Sequence, residues 1–184
     1  MSQTLETSIR MLYDGSAIAD RVDRLAAAIA ANHTRDRLIV AILKGSFVFA
    51  ADLMRALMRS GVDADIDFLR LSSYGQGIES SGTVTVLCDV ATDVAGRDIV
   101  ILDDILDTGR TLAFARDHLL ARGARSIETV ALIDKPGRRQ VHVHADHVGF
   151  RCEDVFVVGY GIDMGQRYRG LPFIGHVVED AARS

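Results

Sequence analysis

Hydrophobic and polar positions along the chain fall into two rhythms. Leu38–Leu43, Ile99–Leu102 and Ile127–Ile133 are short, almost unbroken apolar runs rich in Val and Ile, the pattern of strands buried on both faces of a parallel sheet. Between such runs, apolar residues recur at helical spacing. In residues 17–31, Ile18, Val22, Leu25, Ala26 and Ile29 share one face, with Asp20, Arg21, Asp23 and Arg24 largely opposite, which predicts an amphipathic packing helix. Phe47–Met58 and Leu112–Arg122 read as further helices, ending at Ser60–Gly61 and at Gly123. Asp63–Leu71 alternates as a partly exposed strand, and Thr83–Cys88 and Val155–Tyr160 add two more. Strand, loop and helix repeat, so the chain predicts βαβ units and an α/β domain with a mostly parallel central sheet flanked by helices.

In sheets of this kind ligands bind where strands give way to helices. The richest such loop follows the run Ile99–Leu102: Asp103 and Asp104 interrupt it, and Asp107, Thr108, Gly109, Arg110 and Thr111 lead into the next helix. Unpaired backbone N–H groups at a helix start favour an anion, a glycine allows close approach, and Thr and Arg side chains add donors and charge. A phosphate fits there. Two carboxylates at a strand end can both turn toward one polyol and accept hydrogen bonds from vicinal hydroxyls. Phosphate donors beside diol acceptors describe a ribose 5-phosphate; the plainer alternative is that Asp103, Asp104 and Asp107 cap the helix and solvate a loop.

With 184 residues, 48% apolar and 25% charged, the chain suits one globular domain. A formal charge of -4 argues against nucleic acid or a membrane surface as the main partner. No apolar run approaches a membrane span, and residues 1–16 lack a signal-peptide pattern, so a cytoplasmic location is expected. Cys88 and Cys152 have no metal-type spacing. His142, His144 and His147 are expected to be surface residues, not a metal site. Lys44 and Lys135 are the only lysines in an arginine-rich chain; each stands where a strand leaves the sheet, which raises a functional question. Gly159, Gly161 and Gly165 imitate a dinucleotide fingerprint with the wrong spacing. Residues 72–83 are polar and glycine-rich, a lid or a hairpin tip.

The order acidic-acidic-x-x-Asp-Thr-Gly-x-Thr after a hydrophobic strand, Asp103 to Thr111 here, resembles the phosphoribosyl diphosphate (PRPP) signature of type I phosphoribosyltransferases. Further matches resemble the hypoxanthine-guanine branch over nearly the whole chain. There the first acid is often Glu and the residue after Gly often Lys; this chain has Asp103 and Arg110. The resemblance implies a type I phosphoribosyltransferase fold as a single domain over 1–184, with a flexible catalytic loop at about 72–83 and a small hood built from the N-terminal segment and about 135–184.

It also implies roles. Leu43, Lys44 and Gly45 form a PRPP-binding loop with a cis peptide before Lys44. Asp103 and Asp104 hold the ribose, Thr108, Gly109, Arg110 and Thr111 the 5-phosphate, and Arg169 the pyrophosphate. Ser73 and Tyr74 belong to the catalytic lid. Asp107 is a general base or acid at N7 of the purine. Lys135 meets the 6-oxo group, Phe156 stacks on the base (plain core is the alternative for a strand aromatic), Val157 offers backbone groups to its edge, and Ile162 lines the other side. Asp163, which also borders the base, binds Mg²⁺, with Asp103 and Asp104 as further metal residues. The implied reaction is purine salvage: hypoxanthine or guanine plus PRPP gives IMP or GMP plus pyrophosphate, with Mg²⁺, in a homodimer or homotetramer. The rivals are an enzyme preferring xanthine and guanine, and a PRPP-sensing regulator that binds nucleic acid.

Overall fold

The computed structural model describes residues 7–31, 37–73 and 84–179. In chain order the elements are β1 (Thr7–Tyr13), α1 (Gly15–Ala31), β2 (Arg37–Leu43), α2 (Phe47–Arg59), β3 (Asp65–Ser73), β4 (Val84–Cys88), β5 (Asp98–Leu106), α3 (Arg110–Ala121), β6 (Ser126–Asp134), β7 (His147–Arg151), β8 (Val157–Val158) and β9 (Ile174–Glu179). Six strands form the main sheet in the order β4-β3-β2-β5-β6-β7. Every neighbouring pair is parallel except β3 with β4. The expected α/β architecture is present.

Burial explains the order of the layers. The central strands have apolar residues on both faces because helices cover both. Ile18, Val22, Leu25, Ala26 and Ile29 of α1 join Phe49, Leu53 and Leu57 of α2 over Ile39, Ala41, Val100 and Leu102. On the other face Leu112, Ala115 and Leu119 of α3 lie over Leu38, Val40, Ile99 and Ile101. Full burial of a side chain such as Leu53 or Leu112 contributes roughly 2 kcal/mol.

A second, antiparallel sheet, β1-β9-β8, is the hood. Here the structure departs from the sequence pattern. The strand expected over Val155–Tyr160 shrinks to Val157–Val158, because the chain turns through left-handed conformations at Gly159, Tyr160 and Gly161. β5 is longer than expected and runs through both acids to Leu106. Ser73 ends β3; Tyr74 and most of the expected 72–83 lid lie outside the described residues.

At the edge between β6 and β7, His147 Nε2 pairs with Glu128 Oε1, and Glu128 Oε2 lies 3.4 Å from buried Arg37. The hydrogen bond to Glu128 raises the His147 pKa above its ordinary 6.5, against the opposing effect of burial. A raised folded-state value means that the pair's stabilisation is complete below that ordinary value and fades as pH climbs through the raised one. Thermal melts across that interval are expected to show wild type losing stability relative to His147→Gln as pH rises. Parallel curves for the two proteins would rule the pair out as the cause.

Candidate active site

Three exits from the parallel sheet and the hood meet at one end of the molecule. The first is the loop after β2. Its Leu43–Lys44 peptide is cis, as the resemblance implied, and Lys44 Nζ reaches Gln166 Oε1 of the hood at 3.3 Å. Gly45 has a steric role: a Cβ there would fall inside the Asp104 carboxylate, and the Gly45 carbonyl in turn fills the space a Cβ would need on Gly161. Sheet and hood therefore meet backbone to backbone at two glycines.

The second exit is β5 and its turn into α3. Gly109 caps α3 in a left-handed conformation, φ 87°, a shape open to glycine. Asp103, Thr108, Gly109 and Thr111 line a small recess of about 40 Å³, where the first turn of α3 presents backbone N–H groups. Arg110 starts the helix beside it. Asp103 and Asp104, expected at the end of the strand, lie within β5, which continues to Leu106. Asp103 lines the recess and Asp104 faces Gly45, and the two carboxyls remain within hydrogen-bonding reach of each other. Asp103 is buried at 4% exposure. Burial, followed by the adjacent Asp104 charge, raises its carboxyl well above the usual range; burial raises Asp104 too, with the Arg169 guanidinium opposing. Asp103 Oδ1 accepts the Asp104 N–H at 3.1 Å.

The third exit is the end of β6. Lys135, which a solvated-turn reading would expose, is 6% exposed, and its Nζ donates to the Val155 carbonyl at 2.6 Å. A cavity of about 450 Å³ opens beside it, lined by Ile105, Asp107, Lys135, Arg138, Asp154, Phe156, Val157, Ile162 and Asp163. Phe156 is 55% exposed, which excludes the plain-core alternative. Val157 and Ile162 are buried walls. Ile105 and Asp107 line both the cavity and the recess at the start of α3, so the two compartments adjoin. Asp107 Oδ1 is out of contact with solvent and accepts no hydrogen bond; the Arg138 Nε lies 3.2 Å away as an ion-pair partner.

In the hood, Arg169 donates to the Gly161 carbonyl at 2.7 Å and pairs with Asp163 Oδ1 at 2.7 Å, while Asp163 Oδ2 accepts from the Gln166 N–H at 2.7 Å. Among the described residues no three carboxylate, imidazole or thiol groups gather into a metal cage. Asp103 and Asp104 are neighbours on β5, and Asp163 stands in the hood. That arrangement fits Mg²⁺, which takes one or two carboxylates together with substrate oxygens and water. His142 and His144 are exposed and stack edge to face, in line with a surface role, whereas His147, also expected at the surface, is half-buried in its pair with Glu128. Arg138, Arg139, Asp154 and Gln166 were not singled out by sequence. The Arg138–Arg139 pair after a strand exit was the one visible signal; Gln166 had none.

Residues 8–164 match the model of the phosphoribosyl transferase domain. The chain is 45% identical over 143 residues to hypoxanthine phosphoribosyltransferase of Escherichia coli, a match covering 78% of this chain and 79% of that protein. It is 38% identical over 182 residues to hypoxanthine-guanine phosphoribosyltransferase of Aquifex aeolicus, covering 98% and 100%. A crystal structure of a hypoxanthine phosphoribosyltransferase from Staphylococcus aureus superposes with a TM-score of 0.87 at 35% identity, covering 95% of this chain and 94% of that one. With the recess at the start of α3 adjoining the cavity beside Lys135, and with these matches along almost its whole length, the chain belongs to the phosphoribosyltransferase family.

Proposed function

We propose that this enzyme transfers the 5-phosphoribosyl group of PRPP to N9 of hypoxanthine or guanine, giving IMP or GMP and pyrophosphate in Mg²⁺-dependent purine salvage. One observation carries the reading: Asp107, Lys135, Phe156, Val157, Ile162 and Asp163 line a single cavity that shares Ile105 and Asp107 with the Thr108–Thr111 recess. A donor sugar and an acceptor base can meet there.

The roles follow from chemistry at each wall. Backbone N–H groups at the start of α3, with the Thr108 and Thr111 hydroxyls and Arg110, hold the 5-phosphate. Asp103 and Asp104 accept hydrogen bonds from the ribose hydroxyls, which relieves their burial. The Leu43–Lys44–Gly45 loop and Arg169 supply positive potential and backbone contacts to the departing pyrophosphate. Phe156 and Ile162 sandwich the base, Val157 meets its edge, and Lys135 donates to the 6-oxo group. A 6-amino group would leave that buried donor unsatisfied, the condition under which rejection is strongest. Asp107 takes or returns the proton of the purine imidazole as N9 bonds to the anomeric carbon. Ser73, at the end of β3, and Tyr74 after it keep the role expected of them in excluding water, which competes for the activated sugar. Asp163, with Asp103 and Asp104 across the site, would hold Mg²⁺ through substrate oxygens; when bound, the ion neutralises charge on the leaving pyrophosphate.

The test is conversion of radiolabelled hypoxanthine with PRPP and Mg²⁺. IMP and pyrophosphate in equal amounts are expected, and parallel assays with guanine and xanthine rank the bases, since an enzyme preferring xanthine would use the same walls. No conversion of any 6-oxopurine would overturn the reading. By the same family likeness we expect a cytoplasmic homodimer or homotetramer. Exposed Phe47, Met58, Phe68 and Leu87 offer apolar surface for assembly, and sedimentation equilibrium measures it. Among the described residues no helix is long and apolar enough to cross a membrane.

A further inference from the structure

We infer that Arg138 is a positioning residue for the Asp107 carboxylate, held in place from its far side by Asp154. The inference rests on the base-transfer reading above and adds two residues to it. Arg138 ends the short 3₁₀ turn Pro136–Arg138 that follows Lys135. Its Nε lies 3.2 Å from Asp107 Oδ1, and its second nitrogen, Nη1, donates to Asp154 Oδ1 at 3.3 Å. All three side chains line the base cavity. The guanidinium thus bridges a carboxylate on the β5 side of the cavity and one on the β7–β8 connection. A planar group with several fixed donors suits that task.

Geometry separates this role from a stabilising one. The three side chains are 37–60% exposed, and ion pairs that open to water contribute little to stability. Loss of Arg138 therefore leaves the core untouched. The effect falls on Asp107 alone, because its Oδ1 is shielded from solvent and accepts no hydrogen bond. Its backbone is already fixed: Arg139 donates to the Leu106 carbonyl at 3.1 Å and to the Asp107 carbonyl, and is itself anchored on Asp134. With the backbone clamped by Arg139, the remaining freedom is side-chain rotation. Arg138, 3.2 Å from Oδ1, is the group that restricts it. The consecutive arginines thus divide the work, one on the main chain of Asp107 and the other on its carboxylate.

A double-mutant cycle tests this, with steady-state kcat and KM for hypoxanthine and PRPP measured on wild type, Arg138→Ala, Asp107→Asn and the double variant. Arg138→Ala is expected to lower kcat about tenfold, the scale of losses from a misplaced catalytic group, with KM for PRPP little changed. In the Asp107→Asn background the same change should cost almost nothing further. Asp154→Ala should lower kcat by a smaller factor and add nothing to Arg138→Ala. Equal losses from Arg138→Ala in both backgrounds, an unaltered kcat, or an additive Asp154→Ala would each overturn the inference while wild-type turnover leaves the base-transfer reading standing. A wild type that converts no purine would take both away.

Discussion

Asp107→Asn is expected to lower turnover about 10²-fold or more, the usual size of a general acid–base contribution. The substitution keeps the shape of the side chain and removes only its ability to hold or return a proton. Asp107 lines both compartments, so it is the one carboxylate placed to act on the base while the sugar lies against the recess. PRPP binding is expected to persist. In the proposed reading the 5-phosphate is held mainly by backbone groups at the start of α3, and Arg139 fixes the Asp107 main chain through its carbonyl, which Asn retains. Steady-state kcat and KM for PRPP separate these effects. Unchanged turnover would remove Asp107 from the chemistry; a large rise in KM alone would recast it as a binding residue.

Gly45→Ala is expected to lower kcat/KM for PRPP by about 10²-fold, the loss that a displacement of roughly 1 Å can produce. The added methyl would occupy the space of the Asp104 carboxylate, a short side chain within a strand and unable to retreat without giving up its position. Displacing the loop instead would press the Gly45 carbonyl against Gly161. Either way the ribose and pyrophosphate walls lose register. Gly137→Ala is the control, since nothing lies within 4 Å of the Cβ it would add, and it should be silent in the same PRPP titration. A Gly45→Ala enzyme with wild-type kinetics would show that this close approach is dispensable.

The layered core was legible in the chain because it obeys local periodicity. The apolar face read for α1 is the buried face of the structure, residue for residue, and the apolar runs became the central strands. The hood was harder to read. β1 and β9 are strands with exposed and polar positions, and they pair residues as distant as Ser8 and Val178, a relation that no window of neighbouring residues contains. In the site, Lys135 stood out because lysine is rare in this chain, and its burial supports that reading. The placement of Asp103 and Asp104 inside a strand could not be read, because it depends on how far β5 continues. Arg138 escaped notice for a related reason: its meaning comes from Asp107 and Asp154, which reach it through tertiary structure.

The same long-range pairing bears on how the site is assembled during synthesis. β8, which carries Val157 beside Phe156, is bonded in its sheet to β9 alone, through Val157 with His176 and Val158 with Gly175. A nascent chain that has emerged through residue 170 already owns the strands and helices that surround the recess at the start of α3, yet lacks the strand that supports Val157 and Phe156. The recess can take shape early, whereas the cavity beside Lys135 waits for the last strand to thread between β1 and β8.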